Sequence, residues 1–558
     1  MNPLPPEVAA AVTLTTARAL ADAAARWPDR PALLMDGERI TWAQMQAQSE
    51  DFAAALLALG AGPGTRIGIL SPNSPDYVRL LYAAGMIGAC VITLNARFRE
   101  ADLAFALDHA EIEILILGGE ARAFMDFRAM LTELFPALTS GLVEGIAALP
   151  RLRHLINLND PEPGPWPDRS SLLDGATPER RTQARALRDS IEAGSDALII
   201  YSSGTTARPK ACVLSHANLS QIGASFARRF KLGPQDVILN PMPFFHMSSM
   251  LPMAACRASG AMQICTSHFK PAEALAQLQD ERVTFAYVSF PTIVGGLLND
   301  PGFRAARLPN LRLLHCVGPT DLLRRYSRAL PGVRFINAYG LTEASGVPVW
   351  SDPDDPQDDP FTHSGRVFDG AEVAAFDPET GERLPPDTRG ELRIRGFCLF
   401  SGYLKDPDAT RATLLSDGWL RTGDLGFVST GGVVTYDGRL KDMLKIGGEN
   451  VGALEIEGFL CTHPAIELAQ VIAVPDAHLF EVAAAYVQLK PGASLDVAGV
   501  IEHCLGRIAS YKVPRYVRFV RNWPMSTTKI QKFKLPRDFS PAEYIDVRAL
   551  IESRRSQA

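Results

Sequence analysis

No two cysteines in this 558-residue chain stand at C-x-x-C spacing. The eight thiols, Cys90, Cys212, Cys256, Cys265, Cys316, Cys398, Cys461 and Cys504, are scattered. That excludes a zinc knuckle and a dithiol redox motif and reads as buried, reduced cysteines. An excess of positive charge is also missing. Lys plus Arg number 56 against 62 Asp plus Glu, a net charge of −6, which argues against nucleic acid as the main partner. The N-terminus has no basic segment leading into an apolar run, so no signal peptide is visible. The longest uncharged apolar run, Leu80–Leu94, has 15 residues and two glycines. A spanning helix needs about 20, so a buried helix running into a strand is expected. These absences point to a cytoplasmic chain that is not integral to a membrane. Fixed-period repeats and low-complexity tracts are absent. So are the Walker A pattern and the G-x-S-x-G nucleophile elbow.

What is present is ordinary for a folded protein: 47% hydrophobic and 21% charged residues. The length suggests three to four domain equivalents, fused into fewer large lobes. Short apolar strand candidates at Arg66–Leu70, Ile112–Leu117, Ala197–Tyr201, Val283–Val288, Leu311–Cys316 and Val333–Ile336 alternate with helical stretches such as Trp42–Leu59 and Pro271–Gln279. Nearly continuous apolar strands suit a sheet covered by helices on both faces, so an α/β fold with mostly parallel sheets is expected. Polar punctuation falls at Asn159–Asp196 and at Ser351–Pro360, the latter a surface loop of acids and prolines. Glu391–Arg395 and Gly432–Tyr436 alternate as antiparallel strands do. The roughly 120 residues after Gly438-Arg439 read as a small α+β lobe.

Five segments carry chemistry. Tyr201–Lys210 ends a strand in hydroxyls around Gly204, with Arg208 and Lys210 behind; backbone N–H groups, hydroxyls and cations there can cradle phosphate, a reading preferred, for the segment alone, to that of a Ser/Thr-rich surface loop. Asn337–Glu343 puts a carboxylate at a strand end, suited to Mg²⁺ beside phosphates, with Tyr339 able to stack on a base. Asp417–Asp424 offers an acid beside glycine for ribose hydroxyls. Asp437–Asn450 and Ser526–Lys534 are lysine- and glycine-bearing segments that alone read as solvated loops.

Taken in order and at these separations, the five segments resemble the adenylate-forming superfamily of acyl-CoA synthetases, luciferases and adenylation domains. The resemblance runs from about Ala17 to about Leu535. It implies a large N-terminal domain (1–438) for ATP and the acyl group, with parallel-rich sheets and a β subdomain. A small mobile C-terminal domain (439–558) hinges near Lys441. By the resemblance Ser202, Ser203, Gly204, Thr205, Thr206 and Lys210 form the phosphate loop, and Thr342 and Glu343 contact nucleotide and Mg²⁺. Gly318, Pro319 and Thr320, with Asn337, Ala338 and Tyr339, flank the adenine. Asp424 takes the ribose and Arg439 is a second nucleotide contact. Lys529 bridges the carboxylate and the α-phosphate, and the face with Lys445, Gly447, Gly448 and Glu449 serves the thiol step. His246 belongs to the acyl pocket. The implied reaction joins a carboxylic acid to coenzyme A with ATP as co-substrate, through an acyl-adenylate. An acyl-AMP ligase loading a carrier protein and a homologue that binds nucleotide without turnover are the alternatives, and a homodimer is the assembly expected.

The chain departs from the family pattern at Ala207 and Ala211 in the phosphate loop and at Thr528 before the C-terminal lysine, where glycine is usual. A one-residue shift there would pass the role of Lys529 to Lys532. Val317 replaces a glycine that usually faces the acyl pocket, and either narrows it or fills the core. His246 stands where amino-acid-activating relatives carry an aspartate, which argues against an ammonium-bearing substrate.

Overall fold

The structure, a computed structural model, describes residues 2–98, 100–118, 126–158, 164–202, 209–305, 307–318, 320–355, 359–446, 449–476, 478–525, 530–547 and 549–550. The apolar run at Leu80–Leu94 resolves as expected. Ser74 caps a helix at Pro75–Ile87 through the Tyr77 N–H, with proline in its first turn. Gly88, at φ 71°, turns the chain left-handed to stop it. Cys90–Leu94 then follows as a fully buried strand.

That strand belongs to the first of two seven-stranded sheets. Across the sheet run Gly402–Tyr403, Lys210–Ser215, Asp196–Ser202, Cys90–Leu94, Arg66–Leu70, Ile114–Leu117 and His154–Asn157. The last five strands are parallel, and the first two add antiparallel edges. The second sheet runs Arg334–Ile336, Leu313–Cys316, Phe285–Ser289, Val237–Leu239, Met262–Cys265, Pro31–Met35 and Glu38–Thr41, parallel except for its final hairpin. Side chains alternate as the pleat requires. Ile114 and Ile116 point into a central cluster shared with Phe226 and Leu251 of two intervening helices and with Phe285 and Leu313 of the second sheet. Leu115 and Leu117 face an outer cluster under the helix Glu100–His109. Leu314 and Phe335 line the outer face of the second sheet. One apolar core thus holds both sheets together.

An antiparallel region follows, as the alternation predicts. Ala338–Leu341, Gly346–Trp350 and Arg366–Val367 form a three-stranded sheet, and Ala371–Phe376, Gly390–Gly396, Leu420–Val428 and Val434–Arg439 a four-stranded meander. The small C-terminal domain is a five-stranded sheet built on the long pairing of Ile466–Asp476 with Phe480–Leu489. Its two faces carry their own clusters, around Ile456, Leu460 and Val487 and around Val474, Tyr486 and Leu535. The chain is therefore α/β with a large N-terminal domain and a small C-terminal one. All eight cysteines are buried and unbridged. Among the described residues, no helix is long and apolar enough to cross a membrane.

Candidate active site

Residues of two separate motifs, Lys210 and Glu343, come together at the edge strand Gly402–Tyr403 of the first sheet. Ala338–Leu341 continues from the edge strand of the second sheet and ends in a 3₁₀ turn, Thr342–Ala344, that carries Glu343. Close backbone approach makes the turn possible: a Cβ on Gly340 would lie 2.0 Å from the Gly346 carbonyl oxygen. Ser345, at φ 53°, closes it.

The other half comes from the first sheet. Lys210 opens the strand Lys210–Ser215, and Gly402–Tyr403 pairs antiparallel alongside, Tyr403 opposite Cys212. The Tyr403 hydroxyl donates to Glu343 Oε1 at 2.8 Å, and Lys210 Nζ sits 4.7 Å from the Tyr403 ring centroid. Two further bonds tie this segment to the turn: Phe400 N–H to the Glu343 carbonyl at 2.9 Å and Ser345 Oγ to the Cys398 carbonyl at 2.6 Å. Burial first, and then the neighbouring Glu343, holds the Tyr403 hydroxyl well above its ordinary pKa, so it stays a donor. Sequence reading missed Tyr403. A tyrosine after a glycine gives no chemical signal, and its partner lies sixty residues away in the chain.

Asp424 and Arg439 face each other across neighbouring strands of the meander, with Arg439 Nε 3.4 Å from Asp424 Oδ1. Asp424 is almost fully buried and accepts the Tyr339 hydroxyl at 3.0 Å. Burial, then Asp424, pushes the Tyr339 hydroxyl well up. The Tyr339 ring, 5% exposed, stacks on Tyr436 at 5.3 Å, so its neighbour on that face is protein. Burial works against the Arg439 cation, yet Asp424 and the surrounding acids hold its pKa above the ordinary value.

Asn337 builds the strand entry rather than pointing away from it. Its Nδ2 donates to the His363 carbonyl at 2.9 Å and its Oδ1 accepts the Ala338 N–H at 2.9 Å. Ala338 itself is buried. Thr320 starts the helix Thr320–Ala329 and its hydroxyl donates to the Phe361 carbonyl. Gly318 abuts Pro291, where a Cβ would lie 2.8 Å from Cγ. Val317 is 41% exposed, so it does not fill the core. His246 occupies the N-cap position of the helix Met247–Ser259, half-buried, its ring tilted on Phe245 at 4.9 Å. That helix start packs beside the Glu343 turn, since a Cβ on Gly346 would meet Met247 at 2.9 Å. Ala211 is a regular strand residue with its methyl in the core, so alanine costs nothing there.

Lys441 lies in an exposed 3₁₀ turn, Leu440–Asp442, and Lys445 is exposed on Met443–Ile446, paired at Ile446 with Glu449. Burial, then Arg439, lowers the Lys441 pKa. Lys532 is engaged elsewhere: its ammonium pairs with Glu457, a carboxylate 2% exposed that also accepts the Val471 N–H at 2.7 Å. Ser203, Gly204, Thr205, Thr206, Ala207, Pro319, Gly447, Gly448, Thr528 and Lys529 lie outside the described residues, as do the side chains of Ser202 and Glu449.

The AMP-binding enzyme family model matches residues 20–404, and that of the AMP-binding enzyme C-terminal domain matches residues 455–529. The chain is 32% identical over 533 residues to YngI of Bacillus subtilis (strain 168), a proposed acyl-CoA synthetase, covering 93% of this chain and 96% of that one. It is 30% identical over 539 residues to the human mitochondrial medium-chain acyl-CoA ligase ACSF2, covering 93% and 87%. The crystal structure of ATP-bound MatB from Rhodopseudomonas palustris superposes with a TM-score of 0.79 at 26% identity, over 93% of this chain and 98% of the other. That of the anthranilate CoA ligase AuaEII with anthranoyl-AMP superposes at 0.81 and 24% identity, over 94% and 96%, a likeness of fold. With both family models matched, the chain belongs to the AMP-binding enzymes, the adenylate-forming superfamily, on its acyl-CoA synthetase branch.

Proposed function

We propose that this AMP-forming acid–thiol ligase activates a short, medium or otherwise compact carboxylic acid and transfers it to free CoA. The observation that carries the reading is the convergence of Lys210 and Glu343, from motifs far apart in the chain, on Tyr403, one at its ring face and the other at its hydroxyl. A cation for phosphate and a carboxylate for a hard metal ion are what adenylation needs at one point.

In the first step a carboxylate oxygen attacks the α-phosphorus of ATP. The bond to the bridging oxygen breaks and pyrophosphate leaves. Lys210 and the hydroxyl loop hold the leaving phosphates, and Asp424 with Arg439 fixes the ribose end. To Lys529 we assign the role of bridging carboxylate and α-phosphate, where an ammonium offsets charge growing on the phosphoryl oxygens. Lys532 is committed to Glu457, which supports Lys529 in that role. The oxygen donors fit Mg²⁺: Glu343 would hold it, and the ion would neutralise phosphate charge. In the second step a thiol sulfur attacks the acyl carbon, AMP leaves, and the thiol proton passes to solvent. We assign the hinge between domains 1–438 and 439–558 to the exposed turn at Lys441, which would bring the Lys445–Glu449 face inward for this step. Unbridged cysteines suit the reducing cytoplasm. Val317, exposed where the family pattern has a pocket-facing glycine, and similarity to medium-chain ligases support a pocket of limited length.

The test is pyrophosphate release from ATP and Mg²⁺ across acids from acetate through medium chains to aryl, branched and zwitterionic ones, with and without CoA. Release peaking on short, medium or compact acids, followed by CoA-dependent thioester, is expected. Val317→Gly should move the optimum to larger acids. Release without transfer to CoA would point to a carrier protein, and silence across the panel with ATP still bound would sink the ligase reading.

A further inference from the structure

The position of Tyr403 is more constrained than packing alone would need. Its N–H donates to Thr410 Oγ1 at 2.9 Å, and Gly402 before it, at φ 142°, runs against the Thr410 side chain. Its ring meets Phe400 edge-on at 4.9 Å. The backbone on both sides is thus tied, to Thr410 and, through Phe400 and Cys398, to the turn carrying Glu343. The side chain then performs two separate contacts. Its hydroxyl holds one oxygen of Glu343, and its ring face receives Lys210. Among the described residues, Glu343 Oε2 accepts no hydrogen bond.

We propose that Tyr403 is a positioning residue of the adenylation site: it fixes the Glu343 carboxylate so that Oε2 faces a divalent cation, and it parks the Lys210 ammonium on its ring. This rests on Glu343 as the cation ligand and Lys210 as a phosphate contact. The phenol gives each charge a separate contact: the O–H takes the anion and the π face takes the cation.

The experiment separates hydroxyl, ring and ligand. Mn²⁺ binding to the full-length protein is titrated by electron paramagnetic resonance with α,β-methylene-ATP present, and binding of the same analogue is measured in EDTA. Tyr403→Phe keeps the ring and removes the hydroxyl. It should weaken Mn²⁺ about tenfold or more, with analogue binding in EDTA within about twofold of the parent. Tyr403→Leu, which also removes the ring, should weaken the analogue in EDTA as well. Tyr403→His restores a donor and should recover part of the Mn²⁺ affinity. Glu343→Gln is the reference for the metal. If it loses Mn²⁺ while Tyr403→Phe binds like the parent, the positioning role is refuted and the ligand assignment stands. If Glu343→Gln itself binds Mn²⁺ normally, the assignment on which the proposal rests falls with it.

Discussion

Replacing Lys532 by methionine strips the partner from a carboxylate that has nowhere to go. Glu457, on the helix Ala453–Leu460, is 2% exposed and keeps the Val471 N–H at 2.7 Å and a longer contact from Gln470. Removing one member of a buried pair typically costs 3–5 kcal/mol. Because the backbone donor stays, we expect the lower end, about 3 kcal/mol, at pH 8. The loss should depend on pH. Burial already raises the Glu457 pKa despite Lys532, and without the lysine it rises further. The folded state then binds a proton that the unfolded chain releases, so stability falls as pH rises through the unfolded value near 4.5 and keeps falling up to the folded value. At pH 5 the variant should approach the parent; at pH 8 the gap should be full. Glu457→Gln leaves Lys532, which can reach water, and should cost about 1 kcal/mol. The double variant should recover part of the Lys532→Met loss. The assay is hydrogen exchange of the Ile466–Asp476 and Phe480–Leu489 amides in urea, which reports the C-terminal domain without assuming that the whole chain unfolds in one step. A Lys532→Met loss that is flat between pH 5 and 8, or that the double variant does not relieve, refutes the reasoning.

Three further outcomes are expected. Asp424→Asn removes the charge facing Arg439 while keeping an acceptor for Tyr339; ATP should bind about tenfold more weakly, and unchanged affinity by calorimetry would remove Asp424 from the nucleotide site. Gly340→Ala places a methyl against the Gly346 carbonyl and should cost about 1–3 kcal/mol together with most pyrophosphate exchange; a melting temperature and exchange rate equal to the parent would show that the turn tolerates separation. Burial holds His216 and His315 at about 4. Their folded pKa values lie below that of an unfolded histidine, so only the unfolded chain takes up protons as pH falls from about 6.5 to 4, and stability drops by about 3 kcal/mol each. His315→Gln should flatten the melting-temperature slope between pH 6.5 and 4.5, and an unchanged slope would count against the buried neutral ring.

Much of the architecture was legible because it rests on local pattern. The apolar strands at Arg66–Leu70 and Asp196–Ser202 announce themselves by continuous hydrophobicity, and the helix-to-strand passage at Leu80–Leu94 is marked by its second glycine. The helix Pro178–Ser190 was not legible. Only Ala184 on it is buried. Besides Ala184 and the half-buried Leu187 against the central cluster, ion pairs of Arg181 with Asp51 and of Arg185 with Glu50 on the neighbouring helix seat it, and those no periodicity reveals. In the site, motif residues could be named one by one, but not their partnerships. That Asp424 lies opposite Arg439 follows from the register of a meander with an irregular step at Leu425. That Tyr403 meets Glu343 follows from an edge strand two residues long.

The burial of every thiol has a consequence for a protein that generates acyl-adenylates. Such a mixed anhydride acylates any thiolate within reach. Here Cys90, Cys398, Cys461 and Cys504 are pushed up to about 12 by burial, and Cys256, Cys265 and Cys316 higher still. The enzyme therefore presents its own intermediate with no competing sulfur nucleophile, and should survive thiol alkylation unmodified. The same property makes the native chain a ready background for spectroscopy. A single cysteine introduced on each domain surface would take a dye pair selectively, so that the proposed domain rotation can be tested by energy transfer without first replacing eight residues in the core.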